Sequence, residues 1–146
     1  MNLDALYQQT ILEYSSRKDL NHEMDSPDFV ERGHNANCGD DITLLVKINE
    51  QNIVEDLSFI GSGCAISTAS TAMLIDLVKG SNVENAQEKI NIFFRMMRDE
   101  DPSEDELDLI GDASLLHSTS KLPARVKCAT LSWHTLQVIF KKHNEE

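Results

Sequence analysis

The chain has 146 residues, a formal net charge of -12, 40% hydrophobic residues and three cysteines. This length predicts a single domain over residues 1–146, and the hydrophobic share is large enough for a core that does not depend on a bound metal. The acidic balance disfavours binding to nucleic acid through phosphate contacts, because no basic patch is evident.

Two classes of location are also disfavoured. No stretch approaches the ~20 consecutive apolar residues that a membrane span needs, so no membrane partner is expected. The first four residues, Met1 to Asp4, contain no basic region followed by an apolar run, which argues against a secretory signal. An odd number of cysteines argues against a disulfide framework. We therefore expect a cytoplasmic protein whose thiols are free, metal-bound or catalytic.

The first half of the chain predicts one helix and a small sheet. Apolar residues at helical spacing from Leu3 to Tyr14 indicate a first helix, for which Asn2 is the candidate cap. A polar stretch then leads to a short extended segment over residues 29–35. Apolar residues alternate within residues 42–48 and again within 53–59, on either side of a four-residue polar turn. This pattern predicts a β-hairpin.

The second half predicts helices. Small side chains dominate residues 65–79, a helix that Gly80 should end. Ser81 and Glu84 have the spacing of a capping box for the next helix. Pro123 is placed to open the last helix. These elements indicate an α+β fold in which helices cover a small antiparallel sheet.

A strongly acidic segment precedes the last helix. Seven of the ten residues from Asp99 to Asp108 are carboxylates, and Ser103 with Glu106 forms a second predicted capping box. One interpretation is a solvated, mobile connection. The other is a docking surface for a basic partner.

The three cysteines lie far apart in the sequence, each where a loop meets a regular element. Cys38 and Asp40 precede the predicted hairpin, and Gly39 between them lets the backbone turn so that both side chains can approach one ion. Cys64 and Cys128 lie near predicted helix N-termini, where the helix dipole should favour the thiolate form. Three sulfurs and one carboxylate suit tetrahedral zinc or an iron–sulfur cluster.

The same residues admit plainer interpretations. Cys128 falls off the apolar stripe of the last helix, whereas a structural thiol would more naturally lie on it, yet inert buried thiols stay possible. Arg125 and Lys127 flank Cys128 and could offset the charge of a metal site, or they are ordinary surface charges. The five histidines are best explained as surface or packing residues, with His34 the nearest to Cys38.

Three motifs together resemble the IscU/NifU N-terminal family, and most closely its SufU branch. They are Cys-Gly-Asp at 38–40 before the hairpin, Gly-Ser-Gly-Cys-Ala-Ile-Ser at 61–67 opening a helix, and Leu-Pro-Ala-Arg-Val-Lys-Cys-Ala-Thr-Leu-Ser-Trp at 122–133 opening the last helix. The resemblance runs in order over nearly the whole chain. It implies a sheet of about three strands covered by helices and a role in iron–sulfur cluster biogenesis.

Two features point to the SufU branch. Lys127 stands where IscU-type scaffolds place a histidine before the last cysteine, and an acidic insertion at about residues 99–120 resembles the SufU insertion. The resemblance implies zinc held by the residues matching Cys38, Asp40, Cys64 and Cys128.

The resemblance also implies a reaction and a partner. Cys38 would accept persulfide sulfur from a SufS-type cysteine desulfurase, with Arg125 in a supporting role. The alternative is a non-enzymatic scaffold that assembles a [2Fe–2S] cluster on the same ligands, with iron as cargo and other cluster assembly proteins as partners. A sulfurtransferase-like acceptor and a scaffold therefore both stay open.

Some positions depart from the family pattern. Ala36-Asn37 replaces the usual Pro-x before Cys-Gly-Asp, so this loop should be less rigid. The family's Asn-Pro-Arg-Asn after the first helix is missing, and residues 15–18 read Ser-Ser-Arg-Lys instead. The partner contacts that the family makes through this motif are therefore not assigned to residues 15–18.

Overall fold

The centre of the fold is a three-stranded antiparallel sheet, as predicted. The computed structural model describes residues 3–145, so the predicted Asn2 cap lies outside the described residues. The strands follow one another in space in the order β1-β2-β3. Their bounds are β1 (Phe29–Asn35), β2 (Asp40–Ile48) and β3 (Val54–Ser62).

The described part of the chain also contains five α-helices, of which α2 and α5 pack against the sheet. Their bounds are α1 (Leu3–Ser15), α2 (Ala65–Val78), α3 (Val83–Met97), α4 (Glu104–Leu109) and α5 (Pro123–Asn144), with short 3-10 helices at Lys18–Leu20 and Gly111–Thr119. The long helix α5 packs against α2, α3 and β1, and α1 packs against α2. The start of α5 at Pro123 agrees with the prediction. The α+β fold class is thereby confirmed.

A membrane-spanning helix is absent from residues 3–145: none of the helices there combines the length and the apolar character that crossing a bilayer requires.

The core lies between the sheet and the long helices. Leu44 of β2 and Phe59 of β3 are at most 1% exposed, and they belong to one continuous cluster of buried apolar side chains. At its centre the Trp133 ring of α5 stacks on Phe93 of α3, with centroids 3.8 Å apart and planes 3° apart. Such aromatic packing fixes α5 relative to α3, because both rings are fully buried.

The predicted capping box at the start of α3 is wrong. Asn82, not Ser81, is the N-cap, and its side-chain oxygen accepts a hydrogen bond from the backbone N–H of Asn85 at 2.7 Å. Ser81 instead uses its carbonyl to accept from the N–H of Val54 at 2.8 Å. Because that bond ties Ser81 to the start of β3, the helix begins one residue later than predicted.

The acidic segment is more ordered than a simple connection. Its second predicted capping box is confirmed, since Ser103 and Glu106 exchange both hydrogen bonds at the start of α4. Glu106 also pairs with Arg95 of α3. After α4, Ile110 and Leu116 are buried in the core at no more than 1% exposure. The carboxylates stay largely at the surface, as a solvated connection would have them, while the apolar residues that follow anchor this stretch to the core.

Candidate metal centre

Cys38 lies on the turn that joins β1 to β2. The backbone N–H groups of Cys38 and Gly39 donate to the carbonyls of Asn35 and Ala36, at 3.2 and 3.4 Å, and close this turn. Gly39 has a φ of +69°, a left-handed conformation that favours glycine. This single residue reverses the chain between Cys38 and Asp40, as the Cys-Gly-Asp sequence predicts.

Asp40 is the first residue of β2 rather than a loop residue, and its side chain is completely buried. One carboxylate oxygen, Oδ1, accepts a hydrogen bond from the backbone N–H of Cys64 at 2.8 Å. A methyl group added to Gly63 would lie 2.6 Å from that same oxygen. The glycine before Cys64 is therefore required for the close approach of this backbone to Asp40.

Cys64 is the N-cap residue of α2, as the sequence predicts. Its sulfur accepts a hydrogen bond from the backbone N–H of Ser67 at 3.4 Å. An N-cap side chain is held by the first turn of its own helix. The position of this sulfur is therefore fixed by α2.

Cys128 reaches the same place from α5. Its side chain is 4% exposed, and its thiol donates to the sulfur of Cys38, with 2.9 Å between the two sulfurs. Both cysteines are free. Cys128 is thus buried although it lies off the apolar stripe, because this side of α5 faces the other thiols.

Three of the four predicted ligands form one tight group. One sulfur each from Cys38 and Cys128 and one oxygen of Asp40 all lie within 4.8 Å of one another. Cys64 is bonded to Asp40 through its backbone, but its sulfur is outside this group. The structure therefore brings Cys38, Asp40 and Cys128 together and places Cys64 beside them.

The chemistry of this group fits a metal ion. The second carboxylate oxygen of Asp40, Oδ2, is buried and has no hydrogen-bond partner among the described residues. Burying such an oxygen without a partner is unfavourable, so a cation would satisfy it. Thiolates with one carboxylate form a donor set that zinc accepts in tetrahedral sites. Cys64 would supply the fourth donor.

The sequence predicts a thiolate at Cys128, but the surroundings of this thiol favour its protonated form. Burial raises the pKa of the Cys128 thiol, and the neighbouring thiols of Cys38 and Cys64 and the Asp40 carboxylate raise it further. The helix dipole acts mainly within the first turn, whereas Cys128 is the sixth residue of α5. Desolvation therefore outweighs the dipole, and this thiol carries its proton at neutral pH.

Metal uptake is accordingly expected to release protons and to weaken at acid pH. A metal must displace the Cys128 proton to bind its sulfur, because the pKa of this thiol is raised. Affinity should therefore rise with pH through the neutral range, by about tenfold per pH unit for each proton displaced. Zinc titration of the metal-free protein against a competing chelator at several pH values measures this slope. Equal affinity in mildly acidic and neutral buffer would contradict the expectation.

Arg125 lies at the surface in the first turn of α5, three residues before Cys128. It borders a groove of about 440 Å³ between α1 and the start of α2, which Tyr7 and Ile66 also line. Burial raises the pKa of Tyr7, and the nearby Arg125 guanidinium partly opposes this rise. Arg125 and Lys127 are both exposed, and the interpretation that they offset negative charge at the centre stays a prediction.

The histidines lie outside the group of candidate ligands within residues 3–145. His34 is exposed on β1 rather than in a loop, opposite Asp41 of β2. His134 stacks on Phe94 at a centroid distance of 4.3 Å. These positions agree with surface and packing roles.

Two residues near the site, Tyr7 and Ser67, were not singled out by the sequence analysis. Tyr7 follows the helical apolar spacing, yet its hydroxyl is buried without a partner in the described structure and lies near Cys64 and Arg125. Ser67 also has a buried hydroxyl with no partner there, within 3.2 Å of where a Gly63 methyl would lie. The only available signal was the small, polar character of the helix that begins after Cys64.

Comparisons with known proteins agree on one family. Residues 6–129 match the family described as the NifU-like N-terminal domain. The iron-sulfur cluster assembly scaffold protein IscU of Streptococcus pyogenes is 39% identical over 96% of this chain and 86% of its own length. The zinc-dependent sulfurtransferase SufU of Bacillus subtilis is 41% identical over 93% of this chain and 90% of its own.

A solved structure shares the fold. The crystal structure of FiSufU from the thermophilic Fervidobacterium islandicum AW-1 superposes with a TM-score of 0.84 and 31% identity, covering 92% of this chain and 96% of that one.

Proposed function

Because the chain belongs to the NifU-like N-terminal domain family, we propose that it works in iron–sulfur cluster assembly as a zinc-dependent sulfur acceptor for a cysteine desulfurase. The observation that carries this proposal is the convergence of Cys38 and Asp40, at the β1–β2 turn, with Cys128 of α5, which is distant in the sequence. Two relatives support it, since one is named a zinc-dependent sulfurtransferase and the other a cluster assembly scaffold.

Cys38 is the thiol best placed to receive sulfur. It lies on a turn and is partly exposed, whereas Cys128 is buried in the wall of the centre. Cys64 is also partly exposed, but its sulfur is tied to the first turn of α2. A partner's active site can therefore approach Cys38 with the least rearrangement of helices.

The reaction is an exchange between sulfur atoms. The Cys38 thiolate attacks the outer sulfur of a persulfide on the desulfurase, and a new S–S bond forms at Cys38. The S–S bond in the partner breaks, and the partner's cysteine leaves as a thiolate. The transferred sulfur keeps its oxidation state, so the step needs neither an oxidant nor a reductant. A low thiol pKa favours it because the thiolate is the attacking form.

Zinc would be held by Cys38, Asp40, Cys64 and Cys128. When bound, it supplies a positive charge that keeps the thiols deprotonated. Asp40 would be the hard oxygen donor among soft sulfurs, and its Oδ1 is already engaged with the N–H of Cys64. Arg125 would support the acceptor by offsetting the negative charge of the ligand set.

The partner that fits this chemistry is a SufS-type cysteine desulfurase, which would supply the persulfide. The proposal is tested by desulfurase turnover with and without this protein, measured as alanine released from cysteine. Stimulation by the wild-type chain supports it, whereas equal turnover in both reactions argues against it.

A scaffold for a [2Fe–2S] cluster is the second candidate function. The observation that favours it is the IscU name of relatives that are 39% and 36% identical over nearly the whole chain. Anaerobic reconstitution followed by transfer to an apo-ferredoxin separates the two functions. A cluster that forms and transfers supports the scaffold. Zinc that resists replacement by iron, or a cluster that never transfers, supports the sulfur acceptor.

A further inference from the structure

A chain of two hydrogen bonds joins the helices that carry Cys64 and Cys128. The indole Nε1–H of Trp133 donates to Ser70 Oγ at 2.8 Å, and the Ser70 hydroxyl donates to the carbonyl of Ala129 at 2.5 Å. Ser70, Ala129 and Trp133 are all completely buried. The bonds are therefore shielded from competing water, which makes their geometry restrictive.

The position of this chain relates it to the candidate metal centre. Ser70 lies on α2, the helix that Cys64 caps, and Ala129 directly follows Cys128 on α5. A bond from Ser70 to the Ala129 carbonyl therefore fixes α2 against α5 next to the Cys128 side chain. Hydrophobic packing alone is non-directional and sets no such register.

The direction of the bond to Ala129 is also determined. A serine hydroxyl has one proton to donate, and in Ser70 the lone pairs face the indole N–H of Trp133. The indole is itself held by stacking on Phe93. The Ser70 proton therefore points at the Ala129 carbonyl. Residues of three helices, α2, α3 and α5, together determine the direction of this hydrogen bond.

From this geometry we propose that Ser70 is a positioning residue for the metal centre: its hydrogen bond to Ala129 sets how closely the Cys64 and Cys128 sulfurs approach. The inference rests on the ligand set of the proposed function. It adds to that set a residue which touches neither the metal nor the partner and acts through the spacing of two helices.

The direct variant S70A has a confounding effect. It leaves the indole N–H of Trp133 buried without an acceptor, which destabilises the fold whatever happens at the thiols. The substitution is therefore made in the W133F background, which contains no indole donor. The comparison of W133F with S70A/W133F then removes the Ser70 hydroxyl, and with it the bond to Ala129, without leaving an indole N–H unpaired.

The matched control is S132A in the same W133F background. Ser132 is also a buried serine, on α5, but its hydroxyl has no partner among the described residues. S132A removes a buried hydroxyl, as S70A does, but breaks no hydrogen bond. Unfolding midpoints of the metal-free variants show whether the two deletions are comparable in stability.

Two measurements on purified protein test the inference without using activity. The first is zinc affinity by competition with a chelator, and the second is the absorption spectrum with cobalt(II), whose thiolate charge-transfer bands report the sulfur ligands. We expect S70A/W133F to bind zinc about 10-fold more weakly than W133F, in the range found for residues that orient ligands. Its cobalt bands should shift or weaken, and S132A/W133F should match W133F.

Two results would overturn the inference. The first is equal zinc affinity and identical cobalt bands in W133F and S70A/W133F, which would show that Ser70 serves stability alone. The second is a loss of zinc affinity in S132A/W133F as large as that in S70A/W133F, which would show the same. Failure of the proposed function looks different. If the chain is not a sulfur acceptor, the wild type fails to stimulate the desulfurase while these metal measurements are unaffected; if the metal centre itself is wrong, the wild type binds no zinc and shows no thiolate bands with cobalt(II), and the inference falls with it.

Discussion

Replacing Cys38 with alanine is expected to abolish persulfide uptake and to return desulfurase turnover to the rate of the desulfurase alone. Cys38 is the partly exposed thiol on the β1–β2 turn, and without its sulfur no attacking atom is left at that position. The fold should survive, because Cys38 is not part of the apolar core cluster. Turnover is read from alanine release, and uptake is read by mass spectrometry as one added sulfur on the wild-type chain.

The matched control for this variant is His34→Ala. His34 is exposed on the same hairpin and is not among the candidate ligands of the described structure. It should take up sulfur as the wild type does. Full stimulation by the Cys38→Ala variant, or an equal loss in the His34→Ala variant, would remove Cys38 from the acceptor role.

Removing the metal is expected to destabilise the folded protein by about 4 kcal/mol at a free metal concentration 1,000 times the dissociation constant. For a domain of this size that corresponds to a fall in Tm of roughly 10 °C. The physical reason is that a metal would bind only the folded arrangement, where it would satisfy the buried Asp40 oxygen and join the β1–β2 turn to α5. Calorimetry of the protein as purified and after chelator treatment measures the difference.

Cys128→Ala provides the control for the metal effect. Its sulfur lies at the buried wall of the group, so its loss should remove the bound metal, and chelator should then leave the Tm unchanged. Elemental analysis should give about one metal per wild-type chain and close to none in this variant. A chain that contains no metal when purified, or a Tm unaffected by chelator, would contradict the metal centre.

Local patterns were sufficient to predict most of the fold. The alternation within β2 and β3 and the position of Pro123 each depend on neighbours in the sequence, and the structure confirms the elements they predicted. The start of α3 was missed because Ser81 bonds to Val54, a residue 27 positions away that no local pattern reveals. A long-range hydrogen bond decided between two acceptable caps.

The candidate site was predictable in composition but not in geometry. The motifs brought Cys38, Asp40, Cys64 and Cys128 to attention, yet the contact of Asp40 with the Cys64 backbone and that of Cys128 with Cys38 join segments distant in the sequence. No sequence pattern singled out Ser70. It was one more small residue in a helix of small residues, and only the position of the indole ring gives it a partner.

The stacked ring at the centre of the core makes this domain its own optical probe. Trp133 is the sole tryptophan of the chain, and its indole is shielded from water. Ultraviolet emission excited selectively at that ring therefore originates at a single point between two cysteine-bearing helices. Changes in the spacing of those helices can be followed in real time, in dilute solution and beside a tryptophan-free partner, without attaching any dye.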